Sequence, residues 1–76
     1  MQITVYSKKF CIYCDRLKDL LEDYDLLSNV TEHDIQVYKD TIAIPNEYVT
    51  APRVFINGTL IGGFDETRTW FRQNII

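Results

Sequence analysis

The sequence predicts a small α/β domain in which a four-stranded mixed sheet is flanked by helices, in the order βαβ-(α)-ββα. Two observations predict this class. Short β-rich runs alternate with a helical pattern at the beginning of the chain, and Asn57-Gly58, a strong hairpin signal, joins two such runs near the end. We expect one domain over residues 1–76, because 76 residues leave no room for a second core.

The first half of the chain supplies a strand, a helix and a second strand. Residues 3–6 form an apolar run suited to a buried strand. A helix is predicted over about residues 12–25, because one stripe is apolar: Tyr13, Leu17, Leu20, Leu21 and Tyr24. Ser28-Asn29 predicts a turn, and the more polar residues 30–35 predict a strand at a sheet edge.

The middle of the chain, residues 36–49, has the weakest pattern. Its apolar residues 37–38 and 42–44 suggest a short helix that Pro45-Asn46 would end.

The last part of the chain predicts a hairpin and a helix. Residues 53–56 and 59–61 are the strands on either side of Asn57-Gly58, and Gly62-Gly63 ends the second strand. The inner face of the final helix is marked by Phe64, Thr67, Trp70, Phe71, Asn74 and Ile75.

Composition and charge argue against several classes of function. At 46% hydrophobic and 25% charged residues, the chain has the composition of a globular protein. A net charge of -3 argues against a nucleic-acid partner, which would require a basic stripe. No apolar run is long enough to cross a membrane, and the N-terminus lacks the features of a signal peptide. We therefore expect a cytoplasmic, reducing environment, where a close cysteine pair indicates chemistry or metal binding.

Cys11 and Cys14 form a Cys-x-x-Cys motif at the junction of the first strand and first helix, an arrangement typical of thioredoxin-like redox sites. The helix N-terminus, with Lys8 and Lys9 nearby, should lower the pKa of the Cys11 thiol and favour the thiolate nucleophile. Cys14 lies one turn further into the helix and should be more buried. Cys11 would thus attack a disulfide, and Cys14 would resolve the mixed disulfide.

The alternative is that the pair forms half of a zinc site. Zinc requires four ligands, and the remaining chain offers only His33 and carboxylates. Because His33 lies in a polar strand, we expect it on the surface and expect no metal.

Three segments together resemble the glutaredoxin family of thioredoxin-like proteins over about residues 2–73. Residues 8–14, Lys-Lys-Phe-Cys-Ile-Tyr-Cys, resemble the active site. Residues 50–56 resemble the Thr-Val-Pro segment that leads into a strand, and Gly62-Gly63-Phe64-Asp65 resembles the glycine pair before the last helix. The compact middle and the Gly-Gly-Phe-Asp ending look most like phage-type dithiol glutaredoxins, which would place the protein in a host cytoplasm.

The resemblance implies roles for residues around the cysteines. Pro52 should be cis and Ala51 should pair through its backbone with an extended substrate; without the family, an ordinary trans turn proline would be expected.

The same resemblance implies a glutathione site. The N–H groups of Phe64 and Asp65, after Gly63, would bind the γ-glutamyl carboxylate at the helix N-terminus. Lys8 would meet the glycine carboxylate, and Tyr13 would line the cleft. The turn is also consistent with a plain strand-to-helix connection that Asp65 caps.

The family reading further implies partners. Glutathione would be the reducing co-substrate, and protein disulfides such as that of ribonucleotide reductase would be the targets. We expect a monomer, with no nucleic-acid or membrane partner.

Two departures from the family pattern leave alternatives open. Ile12 stands where many members have Pro; in some relatives loss of that Pro permits an iron–sulfur cluster between two protomers, held partly by glutathione. Asp65-Glu66 stands where many have Ser or Thr followed by Asp, and the added negative charge would weaken glutathione binding. Thioredoxin reductase is then a possible electron donor, while Arg53 would add positive charge to the cleft.

Overall fold

A computed structural model describes residues 1–42 and 49–75 of the chain. The described elements are β1 (Ile3–Ser7), α1 (Ile12–Asp23), a 3₁₀ turn (Leu27–Asn29), β2 (Val30–Asp34), α2 (Ile35–Lys39), β3 (Arg53–Ile56), β4 (Thr59–Gly62) and α3 (Phe64–Asn74). The strands form one mixed sheet in the order β2-β1-β3-β4. β1 is parallel to β2 and antiparallel to β3, and β3 is antiparallel to β4. The predicted thioredoxin-like α/β class is confirmed.

One face of the sheet packs against α1 and α3 to form the main core. Side chains alternate across a strand, so Ile3 and Val5 of β1 point to this face while Thr4 and Tyr6 do not. The buried cluster comprises Ile3, Val5, Leu17, Leu21, Val54, Ile56 and Phe71. Full burial of each such side chain contributes roughly 1.5–3 kcal/mol before entropy is counted. This core holds the beginning of α1 and the beginning of α3 at the same end of the sheet.

The other face carries a smaller aromatic cluster with α2. Tyr6 lies 5.4 Å from Tyr38 and 5.8 Å from Phe55, measured between ring centroids. His33, on the exposed strand β2, stacks on Tyr6 at 5.4 Å. Its surface position, and the position of β2 at the sheet edge, are as predicted.

The hairpin turn follows its sequence signal. Asn57 and Gly58 both have positive φ, 51° and 83°, which is the backbone that a two-residue turn of this kind requires. Asn57 also closes the turn against the N-terminus, because its side chain accepts from the Gln2 N–H at 2.9 Å.

Two expectations about the elements were wrong in detail. β2 ends at Asp34 instead of residue 35, because the Asp34 carboxylate accepts from Gln36 N–H at 2.8 Å and so caps α2. The short helix α2 ends at Lys39 instead of near Pro45-Asn46, and the turn after it is closed by a hydrogen bond from Thr41 N–H to the Tyr38 carbonyl. Residues 43–48, including Pro45-Asn46, lie outside the described residues.

The inner faces of the long helices differ from the predicted stripes at two positions. Tyr13 is half exposed, and the buried side chains of α1 are Cys14, Leu17 and Leu21. In α3, Asn74 is exposed, and its side chain donates to the Trp70 carbonyl of its own helix.

Candidate active site

The cysteine pair lies where β1 gives way to α1. Cys11 and Cys14 are disulfide-bonded, with their Cα atoms 5.2 Å apart. Cys11 is the N-cap of α1 in extended conformation, and its Sγ accepts from the Cys14 N–H at 3.2 Å. A sulfur in this position receives one of the N–H groups that a helix start leaves unpaired. In the reduced protein the same donor and the helix dipole would stabilise a Cys11 thiolate.

The two cysteines differ in access rather than in overall burial. Cys11 is 6% exposed and Cys14 is 3% exposed, so both are buried. Cys11 nevertheless lines an open cleft of about 670 Å³, whereas Cys14 is not one of its lining residues. The described geometry therefore presents only Cys11 to a molecule in the cleft.

Three separate segments form the walls of this cleft. Most of the residues that the sequence assigned to the site line it: Lys8, Cys11, Tyr13, Ala51, Pro52, Gly63, Phe64 and Asp65. The Ala51–Pro52 peptide bond is cis, as the family pattern implied. The Ala51 carbonyl oxygen lies 3.8 Å from Cys11 Sγ, so this backbone stands beside the nucleophile.

Tyr13 of α1 and Phe64 of α3 both line the cleft, and their rings are tilted against each other. Their ring centroids are 6.4 Å apart. Each ring carries a guanidinium over its face, Arg16 at 5.3 Å from Tyr13 and Arg68 at 5.6 Å from Phe64. Such cation–π contacts hold flat, apolar walls in place while leaving them accessible.

The beginning of α3 is capped by Glu66, and the predicted cap by Asp65 is wrong. Gly63 occupies the N-cap position, and its N–H donates to Glu66 Oε1 at 3.0 Å. Asp65 instead pairs with Arg68 at 3.7 Å, one turn along the helix. The physical reason is spacing: a carboxylate three residues after the N-cap can reach back to the N-cap N–H.

Sequence reasoning also missed or misplaced other residues. Glu66 lines the cleft, and the Gly63-x-x-Glu66 spacing, half of a capping box, could have revealed it. Phe10, Ile12, Val49 and Thr50 line the cleft as well, without a recognised signal. Arg53 is not among the lining residues: it lies on β3 opposite Tyr6 in the sheet, so the positive charge expected from it is directed elsewhere.

Within residues 1–42 and 49–75, no group of three or more His, Cys, Asp or Glu side chains is arranged to hold a metal ion. Over the same residues, no helix combines the length and apolar character that a bilayer crossing requires.

Comparison with known proteins identifies the family. The glutaredoxin family model matches residues 3–61, which is most of the chain. This chain belongs to the glutaredoxin family. Mitochondrial glutaredoxin-2 of Bos taurus is 35% identical over 75 residues, covering 93% of this chain and 48% of the bovine protein. The chain thus spans about half the length of the first curated glutaredoxins that it matches.

Solved glutaredoxin structures share the architecture. The dithiolic glutaredoxin 2-C-Grx1 of Trypanosoma brucei brucei superposes with a TM-score of 0.75 at 26% identity, covering 95% of this chain and 78% of that one. A buckwheat glutaredoxin–glutathione complex gives a TM-score of 0.67 at 27% identity, covering 93% and 68%. The narrower resemblance to phage-type glutaredoxins stays a prediction.

Proposed function

We propose that this glutaredoxin is a glutathione-dependent thiol–disulfide oxidoreductase that reduces protein disulfides and glutathione mixed disulfides. The observation that carries the proposal is that Cys11, at the N-terminus of α1, opens onto the cleft beside Ala51, while Cys14 is not among the cleft residues. A two-step exchange requires one thiol that the substrate can reach and a second, less accessible thiol that resolves the mixed disulfide.

The reduction of a protein disulfide proceeds in two exchanges. The Cys11 thiolate attacks one sulfur of the substrate, the substrate S–S bond breaks, and the departing sulfur takes up a proton. Cys14, as a thiolate after losing its proton, then attacks the Cys11 sulfur, which releases the second substrate thiol and leaves the Cys11–Cys14 disulfide. The substrate has gained two electrons and two protons, and the pair has lost them.

Glutathione returns the enzyme to its dithiol state. One glutathione thiolate attacks Cys11, which forms a mixed disulfide and frees Cys14 as a thiol. A second glutathione attacks the sulfur of the bound glutathione, so oxidised glutathione leaves and Cys11 is restored. A substrate that already carries glutathione enters at the mixed-disulfide stage and requires Cys11 alone.

The cleft offers groups of the right charge for a bound glutathione. The N–H groups of Phe64 and Asp65, in the first turn of α3, would bind the γ-glutamyl carboxylate. Lys8 lines the same cleft on the α1 side and would meet the glycine carboxylate. The glutathione complex of the buckwheat glutaredoxin supports this ligand for the family fold.

Protein substrates would approach through the Ala51–Pro52 segment. An extended peptide can pair with the Ala51 backbone as in strand addition, which places its disulfide over Cys11. Ribonucleotide reductase is a proposed target of this kind, and the cytoplasm is the proposed compartment.

A second candidate is a small reductant served by thioredoxin reductase. The observation that favours it is the pair of carboxylates at the glutathione end of the cleft, since Asp65 and Glu66 both line it. Negative charge within a few ångströms of a carboxylate ligand opposes its binding.

The deciding experiment measures reduction of a glutathionylated peptide by purified protein. One reaction supplies glutathione with its recycling system, and the other supplies thioredoxin reductase. Fast turnover with glutathione supports the first proposal. Turnover only with thioredoxin reductase would support the proposed cysteine chemistry and contradict the proposed glutathione site. An iron–sulfur dimer would instead reveal itself by visible absorbance after anaerobic purification.

A further inference from the structure

The residue immediately before the nucleophile occupies an unfavourable position for its type. Phe10 is fully exposed, and its backbone lies in the left-handed region with φ of 56°. Residues with a Cβ atom avoid this region, and Gly and Asn tolerate it best. Exposure means that the ring gains no burial that would offset the strain. Within the described residues, neither conformation nor packing accounts for an aromatic side chain here.

Two near neighbours of Phe10 in sequence also expose apolar side chains along the same cleft. Ile12 is 63% exposed and Tyr13 is 49% exposed, although both lie in the first turn of α1. The other large exposed apolar side chains are scattered over different elements: Met1, Leu27, Val37 and Leu60. Clustered exposed apolar groups indicate interaction sites, whereas scattered ones do not. We call Phe10, Ile12 and Tyr13 the Phe10 surface.

The border of the Phe10 surface is positively charged. Lys8 and Lys9 precede it, and Arg16 stacks over Tyr13 at 5.3 Å. None of these three cations forms an ion pair with another residue of the described chain. The protein as a whole carries a net charge of -3, so this border has the opposite sign to the rest of the molecule.

Carboxylates also lie near this border. A second depression of about 340 Å³ lies on the side of Phe10 away from α3, and its lining includes Asp15, Glu32 and Asp34. Glu32 pairs with Lys18 at 3.3 Å, and Asp34 accepts from Gln36 N–H. Asp15 and Asp34 line the same depression as Lys8 and Lys9, and within the described residues neither carboxylate forms an ion pair. They reduce the positive charge on this side, and Lys9 and Arg16 remain the cations next to the apolar side chains.

Phe10 is therefore a ridge between two concave surfaces. It lines the Cys11 cleft on one side and the second depression on the other. A glutathione that runs from Cys11 toward the beginning of α3 would leave the far side of Phe10 untouched. A longer chain that pairs with Ala51 has the reach to cover the ridge.

We propose that the Phe10 surface docks disulfide-bearing protein segments in which an apolar residue adjoins the reactive cysteine and carboxylates flank it. The apolar residue packs on Phe10 and Ile12, and the carboxylates meet Lys9 and Arg16. The inference deepens the proposed function by naming the class of protein substrate that the same cysteine attacks.

The test uses single-turnover reduction by pre-reduced protein, so that no electron donor takes part. Two peptides of equal length each contain one internal disulfide with a Leu beside the cysteine. Glu residues flank the disulfide in one peptide, and Lys residues flank it in the other. We expect the Glu peptide to require a half-saturating concentration about tenfold lower than that of the Lys peptide, the size of one good charged or apolar contact.

Phe10→Asn removes the ring and keeps a residue that tolerates the left-handed backbone. We expect it to raise the half-saturating concentration of the Glu peptide about tenfold while the limiting rate is kept. Its effect on the small substrate hydroxyethyl disulfide should be several-fold smaller. The midpoint of thermal unfolding should stay equal or rise, because strain is relieved. A merely structural Phe10 would instead lower that midpoint. Phe10→Gly provides a second variant with the same expectations.

Two further variants complete the design. Lys9→Glu should reduce the preference for the Glu peptide over the Lys peptide, because it reverses one border charge. Leu60→Asn, which removes an exposed apolar side chain on β4, is the matched control. It should leave the half-saturating concentration of both substrates unchanged. Equal losses on peptide and small disulfide, or no loss with Phe10→Asn, would overturn the proposal. Failure of glutathione as donor in the earlier experiment would not affect these single-turnover results.

Discussion

Two helices begin at the same cleft, and their first turns are completed in different ways. At α1 the N-cap is Cys11, whose own sulfur accepts the Cys14 N–H at 3.2 Å. At α3 the N-cap is Gly63, which has no side chain, and Glu66 reaches back to its N–H at 3.0 Å. Both solutions satisfy donors that a helix start leaves unpaired.

Because their caps differ, the N-termini of α1 and α3 support different chemistry. At α1 the helix start stabilises charge on a reactive atom of the protein itself, so it favours a nucleophile. At α3 the cap is an ordinary carboxylate, and Phe64 and Asp65 of the first turn line the same cleft. We propose that their N–H groups bind a ligand carboxylate, so that the same backbone physics would activate an atom on one wall of the cleft and bind a ligand on the other.

The strongest test of this division removes the thiols one at a time. Cys11→Ser should abolish all disulfide reduction, by about three orders of magnitude or more, because a hydroxyl at this position is not ionised near neutral pH. Cys14→Ser should retain turnover of glutathionylated peptide and lose most reduction of an intramolecular disulfide. Both are measured as initial rates with a glutathione-recycling system. Protein-disulfide reduction that persists in Cys11→Ser would contradict the assignment of roles.

The next test disturbs the α3 cap through Gly62, the residue before the N-cap Gly63. Gly62 has φ of 130°, and an added Cβ would lie 2.9 Å from Glu66 Oε1 and 3.0 Å from Glu66 Cβ. We expect Gly62→Ala to lower the free energy of unfolding by about 2 kcal/mol or more, from backbone strain and the displaced cap.

Gly58→Ala is the matched control for that variant. Gly58 has φ of 83°, and an added Cβ would meet nothing within 4 Å. Its cost should therefore be strain alone, about 1 kcal/mol. Urea denaturation of both variants compares them directly, and equal costs would show that the contact with Glu66 is unimportant.

A third test concerns the cation on the α1 wall. Lys8→Gln should raise the KM for glutathione about fivefold, the effect of one partly exposed charged contact. The increase should shrink at high salt, because exposed charge interactions are screened. An unchanged KM would contradict the assignment of Lys8 to the glutathione site.

The smallest expected effect comes from the carboxylate on the α3 wall. Glu66→Gln keeps an oxygen that can accept from Gly63 N–H and removes the negative charge. We expect the KM for glutathione to fall about threefold at low salt, since one repulsion of a carboxylate ligand is lost.

Asp65→Asn is the control for Glu66→Gln. The Asp65 carboxylate already pairs with Arg68 at 3.7 Å, so its neutralisation should change the KM less. A rise in KM with Glu66→Gln would instead show that this carboxylate attracts the amino group of glutathione.

Local sequence was sufficient wherever the deciding interaction lies within a few residues. The turn at Asn57-Gly58 takes the positive φ values that its residues favour. The Cys-x-x-Cys spacing at a strand-to-helix junction places one thiol at a helix start and the other a turn further in. By contrast, residues 30–35 carry a polar pattern that suits a strand or a helix start, and the Asp34 cap decided in favour of α2.

The sequence by itself thus determined the α/β class, the cysteine chemistry and the hairpin, because backbone propensities and helix caps act over one turn of chain. Only the tertiary structure brought Cys11 next to the Ala51 backbone, 40 positions away in sequence. It also opened Cys11 but not Cys14 to the cleft, and it left Phe10 exposed as a ridge. These features depend on how β1 and β3 pair and how α1 and α3 pack on one face of the sheet. The residues nearest to the site do not determine such long-range packing.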